Sequence, residues 1–309
     1  MMSILLNGLL LMRRRALLMG LTLAPAGAPA GGHAAAPLAV VASFSVLADM
    51  ARRVGGALVS VASLVPADTD AHAFQPTAAD SRALATASVF IENGLGLEGW
   101  ITRLGVASGF RGTRIVASTG VVPRMVRDGA AASRDPHAWQ DPRNGVLYAR
   151  AIAEGLAAAD PVHADTYRAS AAAYGAEIAE TDAWIASRFA PVPVERRRII
   201  TTHDAFGYYG ARYGIAFLAA QGMSADAEPS AKGIAALIGQ MKREKIRTVF
   251  LENMTDPRLG KMLAREAGAT LSGPLFSDAL SAPDGPAPDY LAMLRHNTAL
   301  FERALRDVV

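Results

Sequence analysis

His72, His137, His203 and Asp278 stand about 65 to 75 residues apart in this 309-residue chain. Each lies in a short polar segment that follows an apolar run. The segments read Asp70-Ala71-His72-Ala73-Phe74, Asp135-Pro136-His137-Ala138-Trp139, Thr201-Thr202-His203-Asp204 and Phe276-Ser277-Asp278. Three imidazole nitrogens and one carboxylate oxygen can fill the tetrahedral shell of a metal ion with no place left for water. A filled shell suits holding a metal; a catalytic site keeps one position open. A lone histidine is usually not a ligand, and it is the shared pattern that singles out these three. The others fall outside it. His163 reads as a solvated first-turn residue, His296 as structural between Arg295 and Asn297, and His33 sits in a leader segment.

Positioning four such residues needs a scaffold of repeated strand ends. Short apolar runs predict strands at Leu38–Ala42, Val59–Val65, Ser88–Glu92, Arg114–Ala117, Arg198–Thr202, Ala216–Ala219, Arg247–Leu251 and Ala269–Ser272. Helical patterns fall between them at Ser45–Val54, Ala78–Ala85, Gly233–Glu244 and Pro257–Ala267. This alternation predicts an α/β fold with mostly parallel sheets. From Pro161 to Ala190 the chain is Ala-rich and offers no strand, with Asp160 and Pro161 reading as N-cap and first turn. Residues 160–190 are therefore expected as one long linking helix, between an N-terminal lobe of 37–159 and a C-terminal lobe of 191–309 that ends in a helix near Tyr290–Arg306. Open α/β sheets bind ligands beyond the carboxyl ends of their strands. His72 and His137 then belong to the first lobe and His203 and Asp278 to the second, which places a metal in the cleft between them.

Residues 1–36 read as a signal peptide. Arg13-Arg14-Arg15 precede an apolar stretch, Ala16 to Leu23, and small residues follow. Met12 is the more natural start, and Ala28-Pro29-Ala30 fits a cleavage site. The apolar run is short of the roughly 20 residues that span a bilayer. Export by the general or the twin-arginine route is left open. The leader carries three Arg and no acidic residue, so the rest of the chain holds 28 basic and 28 acidic residues and is neutral. That balance argues against a nucleic-acid partner. With no cysteine in the chain, the expectation is a soluble protein of the periplasm without a lipid-anchored cysteine.

The four ligand segments together resemble those of a known family, the metal-binding solute receptors of bacterial ABC importers that serve zinc and manganese (cluster A-I). The resemblance runs through Asp70-Ala71-His72-Ala73-Phe74-Gln75-Pro76-Thr77, Asp135-Pro136-His137-Ala138-Trp139-Gln140-Asp141-Pro142, Thr202-His203-Asp204-Ala205-Phe206-Gly207-Tyr208 and Ser277-Asp278-Ala279-Leu280-Ser281. It implies two α/β lobes joined by one long helix, a bound zinc ion, a membrane permease as partner, a monomer, and no enzymatic activity. Many zinc members carry a His-rich loop between the first two ligands, whereas Val121 to Arg134 here contains no histidine. A periplasmic metallochaperone is a further candidate partner.

In the family, His in the third position goes with zinc and Glu tends to go with manganese; here it is His203. Three imidazoles agree with zinc, since manganese prefers more oxygen donors. Manganese remains the alternative cargo. Glu252, at the end of a strand, is a rival to Asp278 as fourth ligand. Asp70 and Asp135 are read either as partners of the ligand imidazoles or as turn residues, and Asp204 as a helix cap. Trp139 and Phe74 are expected around the site. Two enzyme readings compete. Gly94-Leu95-Gly96-Leu97-Glu98-Gly99 has dinucleotide-binding spacing, but residues 112–127 lack the required acid. A zinc-dependent hydrolase would need Asp278 to stand back and admit a water.

Overall fold

A computed structural model describes residues 36–128, 131–223 and 230–306. The leader reading lies outside the described residues. The chain opens with β1 (Leu38–Phe44), α1 (Ser45–Gly55), β2 (Val59–Val65), α2 (Ala78–Thr86), β3 (Val89–Glu92), α3 (Ile101–Ser108) and β4 (Thr113–Val116). These strands form a parallel sheet in the order β2-β1-β3-β4. The central strand β1 reads LAVVASF and buries its last five residues. Such a near-continuous apolar run is what a strand covered on both faces requires.

A short antiparallel hairpin follows, β5 (Met125–Asp128) with β6 (Ala131–Arg134). Two helices come next, α4 (Pro142–Ala159) and α5 (Ala164–Phe189). Helix α4 starts as its sequence dictates: the Asp141 side chain accepts from the Arg143 N–H, and Pro142 occupies the first turn, where its missing N–H costs nothing. The expected helix over 160–190 appears as a 3₁₀ turn, Pro161–His163, and then 26 residues of α5. That is about 39 Å at 1.5 Å per residue. Asp160 does not cap it. Its carboxylate instead accepts from the His163 ring at 2.7 Å and from the Tyr167 hydroxyl at 2.8 Å.

The second half repeats the alternation: β7 (Arg198–Thr201), α6 (Gly207–Tyr213), β8 (Ala216–Ala219), α7 (Ala231–Glu244), β9 (Thr248–Glu252), α8 (Pro257–Ala267), β10 (Thr270–Leu275) and α9 (Tyr290–Arg306). Its parallel sheet has the order β10-β9-β7-β8. All eight expected strands are present, within a few residues of their predicted ends. The architecture is α/β, with two parallel sheets separated in the chain by the long helix. One apolar core runs from the first sheet through α4 and α5 to Phe206, Tyr209 and Phe301; a smaller one, around Leu237, Met241, Val249 and Leu263, lies under α7 and α8.

Candidate metal centre

Each of the four residues emerges where the fold leaves the carboxyl end of a strand or has just crossed back. His72 sits in the connection between β2 and α2. His137 follows β6, His203 lies two residues past β7, and Asp278 three past β10. The structure brings all four together, with one donor atom from each inside 4.8 Å of the others. His72 Nε2 lies 3.1 Å from His137 Nε2. Asp278 Oδ2 lies 3.3 Å from His72 Nε2 and 3.2 Å from His203 Nε2, and Oδ1 lies 3.6 Å from His137 Nε2. Donors bound tetrahedrally at about 2.1 Å stand about 3.4 Å apart, so the cage already has the dimensions of a metal shell. Both Asp278 oxygens and His203 Nε2 are buried and make no hydrogen bond among the described residues. Buried polar atoms left without a hydrogen bond are costly, and a divalent cation would satisfy them all at once.

Two of the imidazoles are held from behind. Asp135 Oδ1 accepts from His137 Nδ1 at 2.8 Å and from the His137 backbone N–H at 3.0 Å, while Arg124 donates to Asp135 Oδ2 at 2.8 Å. Glu252 Oε2 lies 2.5 Å from His203 Nδ1. Its Oε1 accepts from the Thr202 hydroxyl at 2.7 Å and the His203 N–H at 3.0 Å. A carboxylate at Nδ1 fixes the tautomer and turns Nε2 toward the metal. Glu252 is thus no rival to Asp278; it stands behind His203. Asp135 takes the role of imidazole partner. Asp70 takes the turn role, accepting from the His72 backbone N–H at 2.7 Å.

Electrostatics follow from this pairing. Burial works to lower the basicity of His137, but the charge of Asp278 and the hydrogen bond to Asp135 outweigh it and lift the pKa to about 9. His203 is raised in the same way against its burial, by Glu252 and Asp278. Burial alone would raise Asp278, yet His137 and His203 hold it well below the usual carboxylate range. Burial raises Asp70, and the nearby charge of Asp278 adds to it. The metal-free cage is therefore a proton store, and a cation entering it must displace protons.

The surroundings explain the placement. Trp139 is fully buried, edge-on to the His137 ring at 5.5 Å between centroids, and its Nε1 donates to Ser277 O at 2.9 Å. Gln140 Nε2 donates to the same carbonyl at 2.8 Å. Tyr208 donates to Asp135 O at 3.1 Å. These bonds join the two halves of the chain at the back of the site. Tyr208 and Ser277 stand in the family-like segments, but their work here was not legible because their partners lie 73 to 138 residues away. Phe74 packs edge-on against Trp100, whose Nε1 donates to the Ala71 carbonyl next to His72. Asp204 does not cap α6, which begins only at Gly207; its N–H donates to Gly222 O at 3.0 Å. The Gly94–Gly99 segment is a turn with Gly94, Leu95 and Gly96 all at positive φ. Its Asn93 and Gly94 N–H groups are taken by the Glu98 carboxylate at 2.7 and 3.3 Å, so they are not free to bind a pyrophosphate. Asn93 in turn donates to Pro136 O at 2.9 Å, just ahead of His137.

The match to known proteins covers almost all of the described chain. A family model described as "ZnuA: Zinc-uptake complex component A periplasmic" matches residues 40–304. The iron-binding protein YfeA of Yersinia pestis is 30% identical over 260 residues, 82% of this chain and 82% of that protein. The manganese-binding lipoprotein MntA of Halalkalibacterium halodurans is 29% identical over 269 residues, 87% of this chain and 88% of its own length. Among solved structures, the periplasmic zinc-binding protein TroA of Treponema pallidum aligns with a TM-score of 0.82 and 25% identity, covering 87% of this chain and 99% of that one. The chain belongs to the ZnuA family. It is a metal-binding receptor of ABC importers, a solute-binding protein and not an enzyme, and its ion and a membrane permease are its partners.

One expectation is corrected. A soluble, unanchored periplasmic protein was inferred from the missing cysteine, yet MntA and other relatives are named lipoproteins. The lipoprotein names overturn that expectation; an extracytoplasmic location, periplasmic in the family description, is what fits. Among the described residues no helix is long and apolar enough to cross a membrane.

Proposed function

We propose that the cargo is Zn²⁺, held by His72, His137, His203 and Asp278 and delivered to an ABC-type importer. The observation that supports this most is the donor set itself: three imidazole Nε2 atoms around one carboxylate, at separations of 3.1 to 3.6 Å. Nitrogen-rich, near-tetrahedral surroundings suit zinc. In this reading residues 37–159 and 191–309 act as two lobes braced by 160–190, and the protein works as a monomer, with or without a periplasmic metallochaperone to load it. Tight zinc sites reach roughly 10–16 kcal/mol, and about 12 kcal/mol corresponds to nanomolar dissociation. Release therefore has to be assisted at the permease. The stretch Gln221–Pro229, with Gly, Ser and Asp beside the cleft segments, is the sequence's candidate for a mobile loop, and most of it, 224–229, lies outside the described residues.

Manganese is the second reading. It draws support from the two Asp278 oxygens, both of which face the imidazoles. A carboxylate binding through both would raise the coordination number and the oxygen share, as manganese prefers. Metal analysis of protein purified without added metal, followed by competition between Zn²⁺ and Mn²⁺, separates the two. Zinc as the retained and winning ion is the expected result, and manganese displacing bound zinc at comparable concentration would overturn it.

A further inference from the structure

We infer that Asp68 and Asn253 form a latch that positions the His72 loop over the bound cation, so that these two residues set how fast the metal leaves. The inference rests on the metal-site reading above. It starts from an inequality among the imidazoles. The His137 and His203 side chains are fully buried and each faces a carboxylate at Nδ1. The His72 side chain keeps 11% exposure, and its ion-pair contact among the described residues is made through Nε2, to Asp278. Among the described residues no carboxylate stands behind the ring, so its place comes from its backbone.

That backbone is the irregular segment 66–77 between β2 and α2. It is tied at the rear within its own half, where Trp100 Nε1 donates to Ala71 O at 2.9 Å. At the front it is tied across the site. The Asp68 N–H donates to Leu280 O at 3.0 Å, and Asn253 Nδ2 donates to Asp68 Oδ1 at 2.8 Å. Both partners belong to segments that carry the other half's share of the cage. Leu280 lies two residues beyond Asp278, and Asn253 directly follows Glu252, the residue behind His203. Asn253 is the fixed side, since its N–H donates to Leu275 O at 2.9 Å at the strand ends. Asp68 is the strained side. It stands at φ 55, where a side chain crowds the backbone, although Asp tolerates this better than most residues. Asp68 is exposed, so water or a docking partner can compete for the bond. The cage thus has two imidazoles backed by carboxylates and one on a loop tied across the site by two hydrogen bonds, of which the side-chain bond from Asn253 to the exposed Asp68 is the one that solvent can reach.

The test is the rate at which zinc passes from loaded protein to excess chelator in a stopped-flow instrument. Asn253→Ala and Asp68→Ala should each speed release about fivefold, the scale of one lost hydrogen bond. The association rate should stay at the wild-type value, and the metal-free protein should remain folded. Asp68→Asn keeps the acceptor and should restore wild-type release. The double variant Asp68→Ala/Asn253→Ala should release no faster than either single one. Single-variant rates within twofold of wild type, or effects that multiply in the double, would overturn the latch. Should Asn253→Ala fold poorly because it neighbours Glu252, the exposed Asp68→Ala and Asp68→Asn pair carries the test. A wild-type protein that binds no zinc would sink the metal-site reading instead, whereas tight wild-type binding with unaltered release rates sinks only the latch.

Discussion

The His203 and His72 regions solve the same problem in opposite ways. His203 is sealed from solvent, with Glu252 at its Nδ1 and Thr202 locking that carboxylate. His72 sits on a loop, partly exposed, with Asp70 engaged by its backbone rather than its ring. His137 follows the His203 pattern through Asp135 and Arg124. A carrier must bind tightly and still let go. The difference between the regions shows how one cage does both: two donors preoriented on rigid strand ends, and one on a loop that can swing. Preorientation lowers the cost of binding, because the rings need not be ordered when the cation arrives.

The sharpest way to break this comparison is to remove one donor from each class. His137→Ala should weaken zinc binding by well over the roughly 10–100-fold that loss of an orienting partner costs, with the protein still folded. His72→Ala should weaken it less and act mainly on the release rate. Equal losses from the two, measured by competition with a chelator, would erase the distinction.

The backing carboxylates come next in size. Glu252→Gln keeps an acceptor near His203 but loses the charge, and about a tenfold loss of affinity is expected. Asp70→Asn, which preserves the backbone turn, should leave affinity nearly unchanged. An Asp70 effect as large as that of Glu252 would mean that His72 is held like the others.

A smaller and more graded effect is expected from pH. In the metal-free protein His137 titrates near 9, above its ordinary 6.5. The protonated ring therefore contributes stability that is fully present below 6.5 and lost as pH rises through about 9. Zinc competes with that proton, so zinc affinity should rise over the same interval. The melting temperature of metal-free protein should fall from pH 6.5 to 9 while the zinc-induced increase grows. Thermal melts with and without zinc check both slopes, and parallel slopes would contradict the assignment.

Much of this was legible in the residues. The strands of both sheets announce themselves because buried parallel strands are short, continuous apolar runs, as in Val40–Ala42. The hairpin at 125–134 does not, since its strands MVRD and AASR carry no apolar run. Helix α4 was within reach: Asp141-Pro142 is a cap and first turn, and Val146, Ala149, Ile152, Ala153 and Leu156 repeat at helical spacing. Its boundary with the next helical segment was legible too, at Asp160-Pro161. The grouping of His72, His137, His203 and Asp278 was readable because their segments share a pattern. The direction of Glu252 was not, because a carboxylate at a strand end reaches the metal or the ring behind it depending on a side-chain rotation that no residue spacing encodes. The same holds for Asp68 and Asn253, whose hydrogen bond joins positions 185 residues apart.

The central claim is that one cation sits inside these four donors. A crystal structure of the zinc-loaded protein, with anomalous scattering recorded at the zinc edge, tests it most directly. The account predicts a single peak between the three Nε2 atoms and the Asp278 carboxylate, with bonds near 2.0–2.2 Å. A peak outside this cage, or a shell lacking any one of the imidazoles, would contradict it.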